Sequence, residues 1–279
     1  MTIIKTIFIV SLVLLLGVVA FFAFGGPMWQ SYVMGNHDRE ISKYSRSVEA
    51  ATDDASRAQA LANRAGVYAE KARYGRVTKL LPRQEYARVF ELAIADYGAA
   101  LKLDARQAKF FFARGMAYYN RAIAIDLRDG EKETYFPLAL ANFNRAAHLD
   151  SSDVLAWDLQ GLVYIGTEQY GEAIASFTEV LRLDQKRGAL RLAETYCEKA
   201  YSRVKASDIE AAIPDYEKSI EFRTSPSGCE CEAFNALAGI YAERKAYDRA
   251  REVIAKAHHA HQAIDVGIVK AVSEGAVHE

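Results

Sequence analysis

Residues 150–184 read DSSDVLAWDLQGLVYIGTEQYGEAIASFTEVLRLD, and this stretch decides the fold. Trp157, Gly161 and Tyr164 are spaced to share one face of a helix; nine residues after Tyr164 come Ala173 and then Phe177, on a second helical face. A small residue beside a large aromatic is a packing device: Gly or Ala lets two helices approach, and the aromatic fills the gap left beside it. Neither helix buries its apolar face alone, so the pair requires neighbours of the same kind.

Working outward, the Leu-Asp punctuation recurs in ALKLDARQ (100–107), AAHLDSSD (146–153) and VLRLDQKR (180–187), preceded by IADY (94–97), LANF (140–143) and IASF (174–177). The aromatic and Gly pattern recurs in FFARGMAY (111–118), WDLQGLVY (157–164) and FNALAGIY (234–241). A self-similar period of this length marks a repeat architecture.

The pattern resembles the tetratricopeptide repeat, a helix–turn–helix unit of about 34 residues. Five units follow, at about 55–107, 108–153, 154–187, 189–226 and 231–264. The third carries Trp157, Gly161, Tyr164, Ala173 and Phe177, and the fifth Phe234, Leu237, Ala238, Tyr241, Ala250, Ile254 and Ala257. The second has Phe111, Gly115, Tyr118, Ala139, Phe143 and Ala146, and the first Ala65, Tyr68, Ala93, Tyr97 and Ala100. The fourth is degenerate, with Tyr201, Ala212 and Tyr216, and Pro214 is expected to kink its second helix. The expected fold is all-α, a right-handed superhelical array of these units over residues 54–264, with a short helix or tail at 265–279.

Two units are longer than the pattern. Tyr68 to Ala93 is 25 residues and Tyr118 to Ala139 is 21, where Tyr164 to Ala173 is nine. The first insertion is basic, with Arg73, Arg76, Lys79 and Arg83; the second, LRDGEKETYFP (127–137), is mixed. Insertions at equivalent turns lie on one edge of a solenoid, where they contact a partner or simply lengthen the helices.

The resemblance implies that the first helix of each pair lines a concave groove. Counting from the aromatic pattern, that face holds Lys109, Phe112, Met116 and Tyr119, then Leu155, Asp158, Leu162 and Ile165, then Leu192, Thr195, Lys199 and Ser202, then Glu232, Asn235 and Gly239. An apolar strip in mid-array is expected to take an apolar segment or amphipathic helix of a protein partner, or to be filled by the chain itself. The family's clamp for a C-terminal carboxylate needs donors that Ala62, Gly66, Ala113, Leu155 and Leu159 do not provide.

The chemistry-bearing residues are few. Cys197 could pair with Cys229 or Cys231 in an oxidising compartment, and a bare Cys-x-Cys lacks the second half of a zinc site. His258, His259 and His261 suit a helix C-terminus, with metal binding as the alternative. No phosphate-binding glycine loop, H-E-x-x-H or G-x-S-x-G occurs, so no catalytic residue, metal or cofactor is expected.

The other end of the chain is apolar. Residues 7–24 (IFIVSLVLLLGVVAFFAF) carry no charge, follow Lys5, and with the residues before them are long enough for a bilayer core of about 30 Å. Gly25, Gly26 and Pro27 are expected to stop that helix, and Trp29 and Tyr32 stand where interfacial aromatics gather. Residues 1–26 are read as a single-pass anchor, with a cleaved signal peptide as the alternative, and 27–53 as a linker with an amphipathic helix at 37–52. The favoured orientation exports the repeats, to the periplasmic side of a bacterial inner membrane; a cytosol-facing import receptor is the other arrangement. With 35 Lys and Arg against 36 Asp and Glu, a polybasic nucleic-acid binder is excluded. Three cysteines are too few for a disulfide scaffold. The function so implied is that of a membrane-anchored scaffold for envelope assembly, secretion or quality control, or a redox or metal protein if the cysteines or histidines are used.

Overall fold

The computed structural model describes residues 26–123, 131–222 and 232–275, and among them there are 12 helices and no strand. The chain divides into two compact units, Met1–Leu149 and Asp150–Glu279.

The N-terminal unit holds α1 (Gly26–Ala50), α2 (Asp54–Val77), α3 (Arg83–Leu103), α4 (Ala108–Ile123) and α5 (Glu131–Leu149). Pro27 stands in the first turn of α1, where its missing N–H would have had no intrahelical partner, and the helix it was expected to stop lies outside the described residues. The helix expected at 37–52 is the second half of this longer one. The apolar run at 7–24 lies outside the described residues, and no described helix is long and apolar enough to cross a membrane. Asp53 caps α2: the Ser56 N–H donates to its Oδ1 at 2.7 Å, which holds the carboxyl below its ordinary pKa.

Ala58, Leu61 and Ala65 of α2 pack on Tyr97, Ala100 and Leu101 of α3, with Phe110 of α4 closing the cluster. Burial pushes the Tyr97 hydroxyl up to about 12. In α4–α5 the packing device is bare: a Cβ on Gly115 would meet the Phe143 ring at 2.8 Å. The extra residues of the first hairpin lengthen its helices, to 24 and 21 residues against 13 and 14 in the third. Only residues 78–82 link them. The extension has its own small core of Ala72, Tyr86, Val89 and Phe90, with Leu81 folded over Gly75, where a Cβ would lie 2.4 Å from its side chain. In the second insertion, 124–130 lie outside the described residues. Residues 131–137 begin α5, and Tyr135 donates its hydroxyl to Glu91 of α3 at 2.7 Å.

The C-terminal unit holds α6 (Val154–Gly166), α7 (Tyr170–Leu183), α8 (Gln185–Lys205), α9 (Ile209–Glu221), α10 (Ala233–Glu243), α11 (Tyr247–His259) and α12 (Val266–Gly275). A Cβ on Gly161 would sit 2.5 Å from the Phe177 ring. The third Leu-Asp differs from the first two. Asp104 and Asp150 are followed by short turns, whereas Asp184 both ends α7 and caps α8, accepting from Arg187 N at 3.0 Å. That abrupt junction requires Gly188, whose Cβ would lie 2.1 Å from the Leu181 backbone. Pro214 stands inside α9, which continues past it to Glu221. Val272 of α12 is buried against the cluster around Phe234, Leu237 and Tyr241.

Candidate functional site

Much of the apolar strip expected on the first helices is used within the hairpins. The Phe112 and Phe143 centroids are 5.9 Å apart and Tyr119 stacks on Phe136 at 6.1 Å, so Phe112 and Tyr119 are half-buried. Met116 is also half-buried, and Lys109 is exposed and donates to Gln59 at 3.0 Å. Leu155 is 47 % exposed, while Leu162 and Ile165 pack on the core around Phe177 and Leu192.

Two charged positions differ from the expectation. Asp158 does not face a groove as a free carboxylate. It is 6 % exposed and receives Arg191 of α8 at 2.7 and 3.3 Å, because a carboxylate between packed helices is tolerated only with a paired cation. Lys199 does not face the groove either: with Arg203 it holds the buried Asp215 of α9, at 3.1 and 2.6 Å. Leu192 and Thr195, expected on the same face, are buried.

One stripe of α8 carries Glu194, Cys197, Glu198 and Tyr201, at helical spacing. With α10 and the segment leading into α12 it forms a cavity of about 1190 Å³. Val204, Tyr216, Ile264 and Ile268 supply apolar wall, and Glu194, Glu198, Glu232 and Asp265 supply carboxylates, with no Lys or Arg among the described lining residues. Burial first, and then the Glu194 charge, push the Glu198 carboxyl above its ordinary pKa. Asn235 fixes one wall: its side chain donates to the Ala263 carbonyl at 3.4 Å and accepts from Asp265 N at 2.8 Å. Asp265 in turn accepts from Gly267 N at 2.7 Å and starts α12. Such a site can hold a cationic group on an apolar stem. A second hollow of about 1020 Å³, between α9, α10 and α11, mixes Glu217, Glu221 and Glu252 with Arg249 and Lys256, so its charges offset one another.

Sequence counting reached Glu232 and Asn235 but missed the α8 half of this site. The usable signal was Asp184: counting from a helix that starts at once after it gives the 194–197–198–201 stripe. The remaining candidates lie elsewhere. Cys197 is buried and disulfide-bonded, and Cys229 and Cys231 lie outside the described residues. His258, His259 and His261 are exposed at the end of α11, and no group of three or more His, Cys, Asp or Glu side chains placed to hold a metal occurs among the described residues. Arg73 pairs with Glu70, and Arg76, Lys79 and Arg83 sit about the α2–α3 turn.

The tetratricopeptide-repeat family model matches residues 154–187 and 193–225, so the chain carries repeats of this family in its C-terminal unit. Counted from the first residue of each match, Tyr196 falls where Trp157 does, Ala200 where Gly161 does and Tyr216 where Phe177 does. Tyr201, expected as the fourth repeat's aromatic, is accordingly 55 % exposed, and Ala200 is fully buried. No curated protein matches the chain. Among solved structures, a crystal structure of MamA is 17 % identical, with 64 % of this chain and 92 % of that one covered and a TM-score of 0.40. YrrB, described as a tetratricopeptide-repeat protein with an unusual peptide-binding site, is 17 % identical over 68 % and 83 %, also at 0.40. PilF of Pseudomonas aeruginosa is 17 % identical over 73 % and 82 %, at 0.37. These likenesses are too distant to transfer a partner or a process.

Proposed function

We propose that the chain is a membrane-anchored, non-enzymatic repeat scaffold that holds polypeptide segments of partner proteins in the cell envelope, with its repeats on the periplasmic side of a bacterial inner membrane. The observation that carries the binding role is the cavity on α8 and α10. Its apolar wall and four carboxylates suit a segment that presents Lys or Arg from an apolar face. The apolar run at 7–24 supports the anchor. The disulfide at Cys197 supports an exported repeat domain, since such bonds persist in oxidising compartments. The repeats themselves fit a scaffold, because stacked helix pairs present extended surfaces for protein partners.

The test uses the full chain in detergent and two fluorescent peptides, one of Leu and Lys on opposite helical faces and one of Leu and Glu. Fluorescence anisotropy should show the basic peptide bound at least about tenfold more tightly, a difference that Glu194→Gln with Glu198→Gln removes. Equal binding of both peptides, or none of either, would end this reading. Protease accessibility in sealed inner-membrane vesicles tests the topology separately.

A further inference from the structure

The structure assigns a second surface, at the α2–α3 turn, to contact with the headgroups of an anionic bilayer. The inference rests on the reading of 7–24 as a membrane segment and adds which face of the repeat domain meets the lipid.

Helix α1 runs antiparallel to α2. Ser45 meets Arg64 at 3.1 Å, Asp38 meets Lys71 at 2.6 Å, and the His37 ring lies 6.0 Å from that of Tyr74. Moving back along α1 is therefore moving forward along α2. Trp29 and Tyr32, one to two turns before His37, lie at the same end of the unit as Val77 and Leu80. All four are open to solvent: Trp29 is 63 % exposed, Tyr32 54 %, Val77 66 % and Leu80 39 %. Large apolar side chains gathered at one end of a domain mark a contact surface. Trp and Tyr are the aromatic types that settle at a membrane–water interface.

The sequence through the turn is basic. Between Glu70 and Glu85 the sequence has five cations and no acid. Lys71 meets Asp38 and Arg73 meets Glu70, and Arg76, Lys79 and Arg83 stand about the turn itself. Arg39 adds a cation on α1, with its guanidinium 5.7 Å from the Tyr32 ring. Apolar tips among cations match an anionic lipid surface, which attracts basic segments next to a membrane span. The apolar run ends two residues before α1 begins, so the chain enters the unit at this same end.

The test reconstitutes the full chain into vesicles with brominated acyl chains, of phosphatidylcholine alone or with phosphatidylglycerol. One version keeps Trp29 alone, by Trp157→Phe, and reports the anchor. The other carries Trp29→Phe, Trp157→Phe and Val77→Trp, and reports the turn. In anionic vesicles the reporter at 77 should shift to the blue and lose emission by quenching. In neutral vesicles, or with Lys79→Glu and Arg83→Glu, it should not. Quenching at 29 without quenching at 77 would overturn the contact and leave the anchor standing. No quenching at either position would overturn both. Equal quenching at 77 in the two lipids would overturn the anionic headgroup as the partner.

Discussion

The first hairpin and the third solve one problem with different lengths of helix. In α6–α7 the helices stop within about two turns of the approach of Gly161 to Phe177. In α2–α3 the corresponding pair, Ala65 and Tyr97, is followed by several further turns that enclose Phe90, Val89 and Tyr86. An insertion counted in sequence as extra residues at a turn is, in space, a second small core stacked on the first. Its turn is carried away from the repeat, to where α1 begins.

The largest expected effect probes whether that second core is autonomous. Phe177→Ala and Phe90→Ala each empty a fully buried site and should each cost about 3–5 kcal/mol locally. Repeat stability is a sum of local and neighbouring contributions. Amide exchange should therefore show Phe177→Ala loosening α6, α7 and α8 together. Phe90→Ala should open only the α2–α3 extension and leave the amides around Ala65 and Tyr97 protected. Loss of protection across the whole of α2 and α3 would mean that the extension and the repeat core are one cooperative body.

The ion pairs rank next. Asp215 is 5 % exposed and answers two cations of α8, so Asp215→Ala strands both and should cost about 3 kcal/mol. Asp96 in the N-terminal unit meets Arg64 through two bonds of 2.7 and 2.8 Å, but nearer to water. Asp96→Ala should cost about 1–2 kcal/mol, between exposed and buried pairs. Urea midpoints measured for the two variants would rank them, and an equal loss would show that burial does not set the difference.

Which parts of this were legible in the sequence follows the same contrast. The five hairpins could be read because Gly115 with Phe143 and Gly161 with Phe177 use residues whose size alone declares the contact. The first Leu-Asp turns read correctly for a local reason: their aspartates bond backbone N–H groups within three residues. The fourth repeat was misread because Tyr196 and Tyr201 are equally good aromatics in a string of letters. Only the Asp184 junction, which starts α8 without a turn, tells them apart. Asp158 and Lys199 were placed in a groove because a charge on a first helix looks solvated in sequence. Their partners, Arg191 and Asp215, lie 33 and 16 residues further on, beyond any local pattern. The cavity depends on α12 folding back, which no periodicity encodes.

A smaller effect separates the units by pH. Glu198 is raised in the folded state by burial and Glu194, so its contribution is fully present below its unfolded pKa and is lost as pH rises through its folded one. Glu198→Gln should thus be nearly neutral at pH 3 and slightly more stable than wild type at pH 7. Asp53 is depressed by its bonds from Ser56, so its contribution holds above the unfolded value and is lost as pH falls through the folded one. Asp53→Asn keeps a capping oxygen and should be slightly less stable at pH 7, with the gap closing below pH about 4. Thermal melts across pH 3–7 would show the two differences running in opposite directions, and parallel curves would refute both assignments.

The smallest effect returns to the turns. Glu168, Ser207 and Lys245 each follow the first helix of a C-terminal hairpin with φ of 58°, 63° and 58°. Each is closed by one bond across five residues: Gln169 N to Tyr164 O, Asp208 N to Arg203 O and Ala246 N to Tyr241 O, all 2.9 Å. This helix ending favours glycine, which takes a left-handed backbone without a Cβ clash. Lys79 has the same φ, 59°, but Leu81 N reaches back six residues to Gly75 O at 3.1 Å. Changing each of the four to Gly should raise stability by about 0.5–1 kcal/mol, the relief of the backbone exceeding the added freedom of the unfolded chain. Because the three C-terminal turns carry the same strain away from the proposed lipid contact, strain alone is no mark of function at Lys79. What distinguishes Lys79 is its charge beside Val77 and Leu80. Lys79→Gly should therefore gain stability like the others while weakening quenching at position 77 in anionic vesicles, and Lys245→Gly should gain stability without touching it.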